Sequence, residues 1–231
     1  MLGILVSHAD SASVNIGEQL REVVEWTEHM DTETPAADGG GLYHRLEADH
    51  PVEYRTVESR HLDLRRPADV FSQTPNLLVF ASRHAGNTDS LLTAHTTGNF
   101  GPAELGGADH ALAEAAPNAL AHIYTEFLTH APPSYEVGLE CTHHGPTEVG
   151  CPSLFAELGS DTPQWTDKAG AKAVARSILE LREIAPHTTR SIIGIGGGHY
   201  AHRFEQIVAE TDWAVGHVAS NWALEDMGDP C

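Results

Sequence analysis

Apolar positions along the chain follow three patterns. MLGILV at the N-terminus and NLLVFASRH at residues 76–84 are nearly continuous apolar runs, as expected of strands buried on both faces. VEYRTVES alternates with the period of a strand, and SYEVGLECTHHG reads as a strand running into a loop. SIIGIGG predicts a short central strand and WAVGHVAS a last one. Helical spacing begins at a cap on Asp10, Ser11 or Ser13 and runs to about Glu28, with Val14, Leu20, Val23, Val24 and Thr27 near one face. A second helix is expected between Asp109 and His130, with Pro117 at a break or in its first turn. The most regular helix is Pro163–Glu183, capped by Ser160, Asp161 or Thr162, with Ala171, Val174, Ile178 and Leu181 on one face. Strands alternating with helices predict an α/β fold, a three-layer sandwich whose mostly parallel central sheet is covered on both faces.

Residues 31–50 break these patterns. They are acidic, Gly-rich and aperiodic, and read as a surface loop or insertion within one domain spanning 1–231. The longest apolar runs, such as Leu77–Ala81, are too short to cross a bilayer, and the N-terminus lacks the basic flank of a signal peptide. A soluble, cytoplasmic protein is therefore expected. MGDPC follows directly on the helix-like ALED stretch, so the chain reads as cut short.

Charge changes the picture. Thirteen basic against 33 acidic side chains give the 231-residue chain a net charge of −20, and its two lysines are Lys168 and Lys172. Such self-repulsion is costly at ordinary ionic strength but vanishes in molar salt, where the Debye length is about 3 Å. The acidity reads as a solvent adaptation, and so does not argue against a polyanionic substrate. The three cysteines, Cys141, Cys151 and Cys231, form no CxxC pair, which argues for a reducing compartment and against a disulfide scaffold or thiolate zinc finger.

Sixteen histidines are the unusual count, and several cluster just after expected strands: His84 and His95 in segment 82–102, His143 and His144 in CTHHGPTE, and His199 in GIGGGHYAHRFE. Strand-end loops gather where ligands bind in α/β folds, and His with Glu suits zinc. On an extended backbone, neighbouring His143 and His144 would point apart, so only one of them is expected at such a site. Cys141 reads as a small buried hydrophobe, and His61 and His217, with most other histidines, as surface or packing residues. Gly196, Gly197 and Gly198 either let backbone amides approach a phosphate or carboxylate oxygen or simply make a tight turn. No dinucleotide fingerprint, P-loop, HExxH or G-x-S-x-G elbow is present.

Four ordered segments, LVSHADSASVNI (5–16), SRHAGNTDSLLTAHTTGNFGPAELGG (82–107), CTHHGPTE (141–148) and GIGGGHYAHRFE (194–205), together resemble the archaeal and plant type of D-aminoacyl-tRNA deacylase, in a halophilic archaeal form. The resemblance implies a zinc-dependent hydrolase, monomeric with two zinc ions, on an α/β sandwich akin to nucleoside phosphorylases and bacterial peptidyl-tRNA hydrolase. It marks Ser82, Arg83, His84, His95, Gly98 and Asn99, then Thr142, His143, His144, Gly145, Thr147 and Glu148, then Gly196–Tyr200. Within that set, His84, His95, His144 and His199 are the expected zinc ligands. Glu148, His143 and His144 are the expected catalytic groups, with Glu148 as base or further ligand. Arg83, Asn99, Thr147, Gly196, Gly197 and Gly198 are expected to hold substrate. The expected partner is the CCA end of D-aminoacyl-tRNA, with no membrane or DNA involved. Docking cations are available at Arg60, Arg65 and Arg66 and along Lys168, Lys172 and Arg176. Another metal-assisted esterase, a peptidyl-tRNA hydrolase, or a non-catalytic zinc- or RNA-binding protein would use similar residues.

Overall fold

The computed structural model describes residues 1–227. In chain order the elements are β1 (Leu2–Ser7), α1 (Ser11–Val23), β2 (Thr27–Asp31), β3 (Gly41–Leu46), β4 (Val52–Val57), β5 (Leu77–Arg83), β6 (Leu91–His95), β7 (Gly98–Asn99) and β8 (Ala111–Leu112). There follow α2 (Pro117–His130), β9 (Glu136–Leu139), β10 (Ser153–Gly159), α3 (Thr162–Trp165), α4 (Lys168–Glu180), β11 (Ser191–Ile195), α5 (His202–Glu210), β12 (Ala214–Ala219) and α6 (Asn221–Asp226). Eight strands form one sheet in the order β2-β3-β4-β1-β5-β10-β6-β9. Its centre, β4-β1-β5-β10, is parallel, as is the β6–β9 pair, while β2–β3, β3–β4 and β10–β6 are antiparallel. The fold is α/β with a mostly parallel central sheet.

Strand alternation sorts the side chains to two unlike faces. Ile4 and Val6, Val79 and Ala81, and Leu154 and Ala156 join one apolar cluster with Ile16 and Leu20 of α1, Ile123 and Phe127 of α2, and Val174 and Ile178 of α4. Leu5, Leu78, Phe80 and Phe155 face the other way, into a smaller cluster with Ala68, Phe71, Val149 and Cys151. Long helices cover the first face. The second is covered by 3-10 turns at His61–Asp63 and Pro67–Val70 and by the loop leading to β10.

Several expectations need correction. The first helix stops at Val23, because Val24 is already extended, and Thr27 opens an edge strand. Part of the expected 31–50 loop is sheet: Leu42, Tyr43 and His44 of β3 pair with β2, and His44 also faces Tyr54 of β4. The helix within 109–130 starts at Pro117, whose missing N–H costs nothing in the first turn. The 163–183 helix divides at Asp167, whose carboxylate accepts from Ala169 N and caps α4. SIIGIGG is not central; β11 pairs with β12 in a separate parallel pair. β6 and β10, both wholly buried, were not among the expected strands. Among the described residues no helix is long and apolar enough to cross a membrane. Cys141 and Cys151 are buried free thiols, and Cys231 lies outside the described residues.

Candidate metal centre

The site lies on the loop-covered face of the sheet rather than along one edge. β6 runs antiparallel to β10, so the carboxyl ends of β5 and β6 point in opposite directions. Convergence comes instead from period-two alternation. Leu92 and Ala94 face the helices, which turns Thr93 and His95 outward; Ala156 and Leu158 likewise turn Phe155 and Glu157 outward. Glu140 follows β9 on the same side, and its N–H is held by Ala94 O at 3.1 Å. His84 reaches in from the end of β5, and His199 from the loop after β11.

Two buried carboxylates lie against four imidazoles, and a fifth, His144, packs on two of these. Glu140 Oε1 stands 3.0 Å from His84 Nδ1, and its Oε2 stands 2.7 Å from His199 Nε2 and 3.6 Å from His143 Nε2. Glu157 lies 3.6 Å from His84 Nδ1 and 3.7 Å from His95 Nε2. Ring centroids of His95, His143 and His144 are 4.3 to 4.8 Å apart. The far nitrogens are pinned by main-chain carbonyls: His95 Nδ1 donates to Thr96 O at 3.0 Å, His143 Nδ1 to Cys141 O at 2.9 Å, and His144 Nδ1 to Gly145 O at 2.7 Å. A carbonyl can only accept, so each Nδ1 carries a proton and each Nε2 is the nitrogen left to face the cluster.

Charge and burial suit the binding of a cation. Burial pushes His143 well below the usual imidazole range and His144 down to about 4, leaving both neutral. Burial also opposes charge on His84, but the close carboxylates of Glu140 and Glu157 outweigh it and raise His84 to about 11. The Cys141 thiol and Glu140 raise His199 to about 10. Glu157, despite its burial, is drawn down to about 2 by His84 and His95. Even so, His95 Nε2 and both Glu140 oxygens complete no well-directed hydrogen bond, although Glu140 has imidazoles at ion-pair distance. Four overlapping donor sets occur here: His95–His143–His144, Cys141–His143–His199, His84–Glu140–His199 and His95–Glu140–Glu157. In each, the donor atoms lie within 4.8 Å of one another. Imidazole, carboxylate and thiolate are the donors zinc takes, so the residues fit that ion.

The structure brings His84, His95, His143, His144 and His199 together. Both His143 and His144 face the cluster, contrary to the expectation of only one. The backbone at His144 is not extended: its φ of 49° is left-handed, which turns the ring back beside its neighbour. Cys141 packs in the main apolar cluster, with Sγ 4.0 Å from His199 Nδ1.

Other expected residues sit elsewhere. Glu148 is outside the cluster, its carboxylate exposed and paired with Arg65 at 2.9 Å. Asn99 Nδ2 donates to Gly106 O and Ala108 O, and Thr147 Oγ1 accepts from Ala108 N, so both brace the 106–108 loop. Gly196, Gly197 and Gly198 form a turn beside His199, with open space where side chains of Gly197 and Gly198 would stand. Arg83 lines the mouth of a cavity of about 360 Å³ that His84, His143, His144, His199 and Glu157 also line; its guanidinium lies over Trp165, 5.2 Å from the ring centroid.

Sequence reasoning missed Glu140 and Glu157, and it missed Asp10, which lines the same cavity and accepts from Arg83 N at 2.9 Å. The alternation of SLFAELG would have exposed Glu157 as a charged residue in a buried strand. His61, assigned to packing, does pack edge-on against Phe80 and Phe155, but it also lines the cavity, and burial holds it neutral by lowering it to about 3.

A family model described as D-aminoacyl-tRNA deacylase matches residues 71–231, the stretch that carries all five imidazoles and both carboxylates. The chain belongs to the D-aminoacyl-tRNA deacylase family. Curated D-aminoacyl-tRNA deacylases of Natronomonas pharaonis and Haloarcula marismortui are 56% and 52% identical to it, over 100% and 99% of this chain. Each match covers 51% of the relative, so the chain spans about half the length of these deacylases. The crystal structure of the conserved protein of unknown function AF0625 superposes with a TM-score of 0.85 at 26% identity, covering 98% of this chain and 78% of that one.

Proposed function

We propose that the chain hydrolyses the ester linking a D-amino acid to the 3′ end of tRNA, releasing both, at a zinc centre held by the imidazole–carboxylate cluster. The observation that carries this reading is the set of five imidazoles around two buried carboxylates, in a chain belonging to this family. His95, His143 and His144 would hold one zinc ion, and His84, Glu140 and His199 would hold a second. When bound, zinc supplies a Lewis acid that polarises the ester carbonyl and lowers the pKa of water from about 15.7 towards 7.

The chain's own residues do the rest. Glu140 and Glu157 keep the imidazoles oriented and balance positive charge in a buried setting. Arg83, which lines the cavity with its guanidinium over Trp165, would meet the terminal phosphate. Gly197 and Gly198 leave the turn beside His199 free of side chains, which suits the approach of an oxyanion or a ribose-phosphate oxygen to the main chain. Arg60, Arg65 and Arg66 are on the cavity's side of the sheet, whereas Lys168, Lys172 and Arg176 lie on α4, across the sheet, and are set aside as docking cations. Arg60, Arg65 and Arg66 are each paired with an acid, namely Asp63, Glu148 and Asp69, so attraction of phosphate by charge is weak. Recognition therefore leans on the CCA end and its shape. We further read residues 1–231 as one monomeric, cytoplasmic deacylase domain with the layering of the nucleoside phosphorylase and peptidyl-tRNA hydrolase sandwiches.

Incubation of the zinc-loaded protein with D-tyrosyl-tRNA, L-tyrosyl-tRNA and an N-blocked aminoacyl-tRNA tests the reading. Selective release from the D ester is expected. Equal cleavage of both enantiomers makes it a general esterase, preference for the blocked ester a peptidyl-tRNA hydrolase, and no turnover a binding protein.

A further inference from the structure

His84 is held on every side. Its Nδ1 faces Glu140 and Glu157, and its Nε2 lies 3.0 Å from Tyr200 Oη. A side chain on Gly159 would meet His84 Cβ at 2.7 Å and Cδ2 at 2.8 Å; one on Gly86 would meet Nε2 at 2.8 Å and Tyr200 Oη at 3.2 Å. The main-chain carbonyl of His84 accepts from Trp165 Nε1 at 2.8 Å. Tyr200 is fixed as firmly. It bridges Glu140 main chain to main chain, with Cys141 N donating to His199 O and Ala201 N to Leu139 O, each at 2.8 Å. Consecutive residues thus grip one unit from two sides: His199 meets the Glu140 carboxylate, and Tyr200 meets the imidazole on that carboxylate's far oxygen. Tyr200 does not line the cavity and has no part in the proposed reaction.

We propose that Tyr200 is a positioning residue: its hydroxyl oxygen accepts the Nε2 proton of His84 and so fixes Nδ1 as the nitrogen presented to a metal ion between His84, Glu140 and His199. The inference rests on the metal-centre reading above. A ligating imidazole needs an acceptor for its other N–H, and losing such a partner weakens metal binding about 10–100-fold. With phenylalanine at this position the Nε2 proton faces hydrocarbon, and the ring loses the contact that stops it turning over.

Cobalt(II) titration of the metal-free full chain, followed by visible absorption, tests this with wild type, Y200F, H84A and the double variant. Y200F is expected to weaken the His84-dependent binding step about 10–100-fold with its cooperative melting retained, and to add nothing in the H84A background. Wild-type affinity and spectrum in Y200F overturn the proposal, as does an undiminished Y200F effect when His84 is already absent. A wild-type chain that takes up no cobalt sinks the metal-centre reading itself, and this role with it. Long-range 15N–1H spectra of zinc-loaded wild type give a reading independent of any variant: His84 metallated at Nδ1 and protonated at Nε2 is expected, and the reverse overturns the proposal.

Discussion

Glu140 and Glu157, buried among imidazoles, make the site sensitive to pH in opposite directions on its two sides. His84 and His199 have folded-state values raised from 6.5 to about 11 and about 10, so their stabilisation is complete below about 6.5 and is lost as pH rises through those values. Glu157, lowered from 4.5 to about 2, contributes above 4.5 and loses its contribution as pH falls. His144 and His61, lowered from 6.5 to about 4 and about 3, are buried neutral and destabilise the fold as acid charges the unfolded chain first. Urea midpoints of the metal-free protein should therefore peak near neutrality, and zinc should flatten the alkaline limb by replacing the protons on His84 and His199. A midpoint still climbing at pH 9 without metal would contradict these assignments. Replacing His144 by Ala should cut kcat/KM by about 10²–10³, the scale of one lost electrostatic stabiliser, with circular dichroism unchanged. The same change at Glu148 should leave kcat within about twofold, as expected of an exposed ion pair. The histidines were legible because they cluster beside strands. The glutamates were not, because nothing sets Glu140 and Glu157 apart among 33 acidic residues until the register of β6, β9 and β10 is known.

Among elements, the junction of α1 with β5 carries the clearest consequence. Asp10 caps α1 by accepting from Ala12 N at 2.9 Å and Ser13 N at 3.1 Å, while its other oxygen accepts from Arg83 N and from Ser82 Oγ at 3.3 Å. One carboxylate therefore ties the helix start to the strand end that delivers His84. Asp10→Ala should cost about 1–2 kcal/mol in denaturant unfolding, as lost caps do, and should also raise KM by freeing Arg83; a stability loss with unchanged KM would restrict Asp10 to capping. β1, β4 and β5 were readable from their apolar patterns, and α4 from its spacing, although the expected cap at Asp161 belongs to α3 and Asp167 caps α4. The 31–50 segment was misread because glycines and acids in TETPAADGGG mask the β3 strand beside them. β11 was misplaced because an apolar SIIGI looks central, although Ile193 and Ile195 are each 69% exposed.

For the whole molecule, a net charge of −20 dominates. Raising salt from 0.1 M to 1 M shrinks the Debye length from about 10 Å to about 3 Å, so unfolding midpoints should rise steeply with KCl; a flat response would remove the solvent reading of the acidity. The α/β class was legible from the alternation of strands and helices. That the site occupies one sheet face, with the α4 cations on the other, was not, because it depends on the antiparallel entry of β6. The most direct single measurement is metal content by mass spectrometry on the purified chain, wild type beside a His95→Ala, His144→Ala double variant. Stoichiometric zinc, up to two ions per wild-type chain and reduced in the variant, is the result predicted here; a folded wild type that holds no zinc after incubation with it would contradict the account.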